Sequence, residues 1–289
     1  MQFWLGASFV DTGEYVPLAR AAERLGYHTL ALSDHMFFTD FRAPYPYSST
    51  GRPPYTADTH WPDPWGTIGA MGAVTERLRF ATNVYVAPAR DLFTVAKAVS
   101  TAAVLSANRL TFGVGVGWCA DEFAQTGQDF HTRGKRLDEM IPALRAVMAD
   151  RPAEFHGTFY DFGPLSIAPV PDEPVPVYVG GDSDAALSRA ARLADGWIGN
   201  HVYTEDQLED LLVRLGGHLG AHGRTLEDFT AIAPLGAIPS ADLYRKWRDR
   251  GVAGTMVAPW LARDRRDRGL AAKIETMERF AEEILSVIE

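Results

Sequence analysis

Apolar positions along this chain alternate between two rhythms. Residues 2–9 (QFWLGASF) form an almost unbroken apolar run, the pattern of a strand covered on both faces. Tyr15, Leu18, Ala19, Ala22 and Leu25 then recur at three- and four-residue spacing and predict an amphipathic helix that Gly26 stops. The pair repeats. HTLALS (28–33) is a second strand, followed by a long Pro-, Tyr- and Ser-rich loop over 36–63 and a helix from Pro64 to Glu76. RLRFATNVYV (77–86) precedes a helix from Leu92 to Ala107, and the apolar run after Arg109 precedes a stripe of Leu137, Met140, Ile141, Leu144 and Val147. Residues 151–174, with prolines at 152, 164, 169, 171 and 174, read as an insertion. Strands at 175–181, 195–200, 229–238 and 251–259 alternate with helices over 183–194, 204–221, 240–250 and 270–288. Eight strand–helix units predict an α/β chain folded as a single (β/α)8 TIM barrel over 1–289, with insertions after strands 2 and 4 at about 36–63 and 151–174.

A barrel of this kind carries its chemistry at the C-terminal ends of its strands. Those ends hold Asp34 and His35, Asn83, Gly180 with Gly181, and Asn200 with His201. The fourth strand ends in RLTFGVGVGWCADEF (109–123), where Gly113, Gly115 and Gly117 fall on one face. Glycine in a strand forfeits packing and marks close approach, either by a ligand or by neighbouring strands where a barrel closes. The alternating spacing is not the strand-to-helix G-x-G-x-x-G turn of dinucleotide sites. Asp34 and His35 read either as a loop cap beside a satisfied imidazole, or as an acid–base group tuned by its neighbour. VGGDSDAALSRAARLAD (179–195) places two glycines and Ser183 before a helix, which is either an ordinary capped turn or an anion site at a helix N-terminus.

Composition narrows the classes. With 46% hydrophobic residues in 289, a large core is available, and a formal charge of −9 argues against nucleic acid or an anionic membrane as partner. The one basic run, 263–268, is interleaved with acids and reads as a solvated loop. Cys119 is the only cysteine, so no internal disulfide and no cysteine-built zinc site is expected. The histidines are scattered singly, without H-E-x-x-H, so no metal is expected, and no G-x-S-x-G elbow is present. The N-terminus lacks a basic leader and no apolar run is long enough to span a bilayer, so a soluble cytoplasmic protein is expected.

LALSDH (30–35), PDPWGTIGAMGAVTERLRFATNVYVAPARD (62–91), AKAVSTAAVLSANRLTFGVGVGWCADEF (96–123), RGKRLDEMIPALRAV (133–147) and VYVGGDSDAALSRAARLADGW (177–197) together resemble the bacterial luciferase-like superfamily of flavin- and deazaflavin-dependent barrels. SDH and GVGVGW-x-x-x-E-F resemble the actinobacterial branch that uses the deazaflavin coenzyme F420. The likeness covers residues 1 to about 200.

The resemblance implies an F420-dependent oxidoreductase that moves a hydride between the deazaflavin and an organic substrate. His35 would be the acid or hydrogen-bond donor over the ring, with Asp34 orienting it. Asn83 and Val84 would form a cis peptide behind the ring, while Gly115, Gly117 and Trp118 line it. Gly180, Gly181 and Ser183 would hold the phosphate. Sugar-phosphate dehydrogenases of the superfamily carry an acid where Trp118 stands, and Trp118, Trp61, Trp65, Tyr45, Tyr47 and Tyr55 favour a bulky apolar or aromatic substrate. The family habit is a homodimer. The rivals are an FMN-dependent monooxygenase and a non-catalytic cofactor-binding protein.

Overall fold

A computed structural model describes residues 1–41, 43–149, 151–262 and 269–288; the basic run 263–268 lies outside them. The chain runs β1 (Gln2–Gly6), α1 (Tyr15–Leu25), β2 (Thr29–Leu32), α2 (Pro64–Gly72), β3 (Arg79–Thr82), α3 (Leu92–Leu105), β4 (Leu110–Val114), α4 (Ala120–Gln125) and α5 (Arg133–Ala149). A hairpin of β5 (Ala153–His156) and β6 (Asp161–Leu165) follows. Then come β7 (Val177–Gly180), α6 (Asp184–Leu193), β8 (Gly196–Ile198), α7 (Glu205–Gly220), β9 (Thr230–Ile232), α8 (Ala241–Arg248), β10 (Gly254–Val257) and α9 (Leu270–Glu283). Eight parallel strands close in the order β1-β10-β9-β8-β7-β4-β3-β2, the barrel that the alternating pattern predicts.

The strands are shorter than the apolar runs. Predicted strand 77–86 is ordered as strand only over Arg79–Thr82, and the fourth ends at Val114, before Gly115 and Gly117. The proline-rich tract 151–174 contains the two-stranded hairpin, packed on α5, where Glu139 accepts the Phe159 N–H at 2.7 Å. Residues 33–63 hold neither helix nor strand among those described. Helix ends follow local rules: Gly26 stops α1 with φ 82°, Asp63 and Asp91 cap α2 and α3, and Thr204 with Gln207 forms a capping box on α7.

Strand alternation separates two apolar layers. Phe3, Leu5, Leu30, Leu32, Phe80, Phe112 and Val179 point outward into the layer under the helices. Trp4, Ala31, Ala81, Tyr178, Ile198 and Ile232 fill the barrel interior, with Trp4 and Tyr178 stacked at 6.0 Å between ring centroids. The interior is packed, so a ligand is confined to the rim. No helix among the described residues is long and apolar enough to cross a membrane.

Buried charges are matched to backbone. Arg109 donates to the carbonyls of Gly72, Thr75, Leu78 and Ser106 and to the Thr75 hydroxyl, at 2.7–2.9 Å, joining the ends of α2 and α3 to the start of β3. Replacing it with Met strands several of these acceptors, at about 1–3 kcal/mol for each one left buried. Arg109→Met should therefore lower the unfolding free energy by at least about 3 kcal/mol, read by urea denaturation.

His28, at the N-terminal end of β2, is held down to about 4 by burial first and then by Arg79 and the N-terminal amine. The folded state thus resists protonation that the unfolded chain accepts near 6.5. Stability is unaffected above that pH and is lost as pH falls from 6.5 toward 4, by up to about 3 kcal/mol. His28→Gln should flatten the melting temperature between those limits; an unchanged slope would assign the acid sensitivity to another group.

Candidate active site

All eight strands deliver residues to one cleft of ≈ 1910 Å³ at their C-terminal ends. A smaller cavity of ≈ 540 Å³ opens at the opposite end, where Gln2, His28 and Arg79 begin their strands. The catalytic rim of a barrel is the former.

His35, three residues beyond the end of β2, sits on the cleft wall with its side chain only 11% exposed. Its Nδ1 lies 3.1 Å from Oε1 of Glu122, a carboxylate on α4 that is 2% exposed and also accepts the Met36 N–H at 2.8 Å. Its Nε2 lies 3.3 Å from the Tyr55 hydroxyl. Trp61, Tyr55 and Trp118 surround the imidazole at centroid distances of 4.9, 5.3 and 5.9 Å. Burial pushes the Tyr55 phenol far up, so its hydroxyl keeps its proton.

Asp34 does not take the orienting role expected of it. Arg90 binds both of its oxygens, Nη1 to Oδ2 at 2.8 Å and Nη2 to Oδ1 at 2.7 Å, and the Val86 N–H donates to Oδ2 at 2.9 Å. Burial pushes this carboxyl up, while the guanidinium and the N–H pull it down. Such a forked pair is a strong positional clamp. Asp34 thereby ties the end of β2 to the turn after β3, and the imidazole finds its carboxylate on a different loop.

The glycines of the fourth strand are explained by protein rather than by ligand. A Cβ on Gly113 would lie 1.8 Å from the Thr82 carbonyl, and one on Gly115 would lie 2.5 Å from Val84 Cγ2. A Cβ on Gly180 would meet Val84 Cγ1 at 2.6 Å, so Val84 occupies room left by two glycines on two strands. Gly117, with φ 78°, makes room for Val86 in the same way. The peptide between Asn83 and Val84 is cis, as the resemblance implies. Asn83, Val84, Gly115, Gly117, Trp118 and Gly180 all line the cleft.

At the start of α6, Gly181 has φ 118° and Ser183 caps the helix, its Oγ accepting the Ala186 N–H at 3.3 Å. Both line the cleft. The neighbouring acids are engaged: Asp184 is held by Arg214 at 2.9 Å, and Asp182 lies 3.5 Å from His201 Nδ1. Trp61 and half-exposed Tyr47 also line the cleft. Trp65 does not reach it. In the first turn of α2 it is 7% exposed and packs against Tyr85 and Phe112 at 4.9 and 5.6 Å, in the layer between helix and barrel. The substrate-contact expectation for Trp65 is corrected accordingly.

Glu122 and Tyr55 complete the surroundings of His35. The sequence shows Glu122 as an acid just after GVGVGW and Tyr55 as one of several loop aromatics, but not their contact with an imidazole 87 and 20 positions away.

The model of the luciferase-like monooxygenase family matches residues 4–282. An uncharacterized protein of Mycobacterium tuberculosis is 32% identical over 292 residues, covering 100% of both chains. An F420-dependent glucose-6-phosphate dehydrogenase of Beutenbergia cavernae is 32% identical over 216 residues, 72% of this chain and 58% of that protein. Among solved structures, the coenzyme F420-dependent tetrahydromethanopterin reductase of Methanopyrus kandleri has the same fold, with a TM-score of 0.77 at 12% identity over 100% of this chain and 99% of that one.

Because Val84 fills the space above Gly115, Gly115→Ala should cost about 1–3 kcal/mol through overpacking. Adding Val84→Ala should recover at least about 0.5 kcal/mol of that in a double-mutant cycle. Additive losses in the urea midpoints would show that the two positions do not compete for room.

Proposed function

The chain belongs to the luciferase-like monooxygenase family, and from that premise we propose that it is a coenzyme F420-dependent oxidoreductase acting on a bulky, apolar organic substrate. The observation that carries this reading is the pairing, in one cleft, of a carboxylate-held histidine ringed by aromatics with a glycine-rich helix start.

The residues present fit the cofactor. The cleft of ≈ 1910 Å³ accommodates a large tricyclic ring with a long tail. Val84, flanked by Gly115 and Gly180, offers an apolar support for a flat ring. The α6 N-terminus offers N–H groups, the Ser183 hydroxyl and the positive end of a helix dipole to the phosphodiester, a contribution of about 0.3–1 kcal/mol beyond its hydrogen bonds. With a chain charge of −9, such local donors rather than long-range attraction must hold an anionic tail. When bound, the deazaflavin supplies a carbon that carries hydride to or from the substrate. The chain's own residues orient, exclude water and move a proton. His35 is the acid–base group, and Trp61, Trp118 and Tyr47 are the apolar contacts.

The cleft favours a neutral substrate. Arg133 spends Nε and Nη1 on the carbonyls of Gly117 and Phe130, and Arg279 pairs with Glu275 at 3.2 Å. Among the described residues these are the two arginines on the lining, so a phosphorylated substrate finds little there to neutralise it. The name of the Beutenbergia relative supports the cofactor; Trp118, in place of an acid, argues against that relative's substrate.

Titration followed by fluorescence should show F420 binding more tightly than FMN. Ser183→Asp keeps an effective helix cap but sets a carboxylate at the phosphate, so it should weaken F420 by tenfold or more, on the order of 1.4 kcal/mol, without shifting the melting temperature of the free protein. Preference for FMN would favour the flavin monooxygenase reading, and wild-type affinity in the variant would move the phosphate elsewhere.

A further inference from the structure

The oxygen of Glu122 that faces His35 also receives the Met36 N–H at 2.8 Å. An oxygen accepting a backbone N–H presents lone pairs, so the 3.1 Å contact with Nδ1 is a hydrogen bond donated by the ring. Glu122 is 2% exposed, which removes competing water, and Asp34 is committed to Arg90 and Val86. The other ring nitrogen, Nε2, faces the Tyr55 hydroxyl, which burial keeps protonated and able to donate.

We propose that Glu122 is the positioning residue of this site: it holds neutral His35 as the Nδ1–H tautomer and so leaves Nε2 as the ring's proton-accepting position. This rests on His35 being the acid–base group. It also alters the role implied by resemblance, because a neutral ring in this tautomer takes a proton from a bound molecule at Nε2 and cannot donate one there. An unconstrained histidine prefers the opposite, Nε2–H, tautomer, so the claim runs against the default. Tyr55 occupies Nε2 until a ligand hydroxyl or a water replaces it.

The test is 15N NMR of histidine side chains in the full-length protein without cofactor, at a pH where His35 is neutral, with His35→Gln assigning its signals. Wild type should show Nδ1 as the protonated nitrogen and Nε2 as the bare one, with the Nδ1–H form favoured about tenfold or more, as a bond to a charged acceptor implies. Glu122→Leu, which removes the acceptor, should invert the ratio. Glu122→Gln, whose amide oxygen can serve both N–H groups, should retain it. A purely packing role for Glu122 would leave the tautomer unchanged in Glu122→Leu, and that result overturns the proposal. Should Glu122→Leu fail to fold by circular dichroism, the wild-type spectrum decides alone, because an Nε2–H signal there overturns it as well. The readout needs no cofactor or substrate. Failure to bind F420 in the titration above would therefore count against the proposed function while leaving the tautomer result standing.

Discussion

The scarcity of space inside the barrel where β3, β4 and β7 end governs the rest of this structure. The Thr82 carbonyl approaches β4 so closely that only a residue without a Cβ fits at Gly113. One level higher, Val84 needs both Gly115 and Gly180 to be bare. The interior below is already filled by Trp4, Tyr178, Ile198 and Ile232. The close-packed interior therefore ends in a floor, and the loops beyond it, from all eight strands, enclose the cleft.

Above that floor, buried polar groups fix the positions of the loops. Asp34, Arg90 and the Val86 N–H join the turns after β2 and β3. Glu122 joins the loops after β2 and β4 through His35 and the Met36 N–H. At the opposite end, Arg109 fastens α2, α3 and β3 through backbone carbonyls, and Glu23 accepts the N–H groups of Glu76, Arg77 and Leu78. Glu23 stays partly exposed, whereas Asp34, Glu122 and Arg109 are buried and held by several short bonds. This is the condition under which a buried charge stabilises one geometry rather than opposing the fold. The chemistry of the cleft inherits that rigidity: the imidazole is held by a carboxylate on one side and enclosed by aromatic rings on the others.

The two acids near His35 divide their tasks by partner: Asp34 is taken by Arg90 and the Val86 N–H, and Glu122 meets the imidazole. The aromatic wall comes from the loop that follows. Phe41, Tyr45, Tyr55 and Trp61 come from a loop without regular structure, and they pack on one another and on Trp118 because no helix or strand there offers them a core.

The sequence by itself determined the eightfold alternation, the caps at Gly26 and Ser183, the rim position of His35, and the family. These follow from local periodicity, turn chemistry and contiguous motifs, which are properties of neighbouring residues. Only the tertiary structure decided that the alternating glycines make room for Thr82, Val84 and Val86, that Trp65 belongs to the layer beneath α2, and that Glu122 rather than Asp34 meets the imidazole. Each of these depends on residues brought together across a closed barrel, 87 positions apart in the case of His35 and Glu122. No spacing along one strand encodes which neighbouring strand will supply the contact.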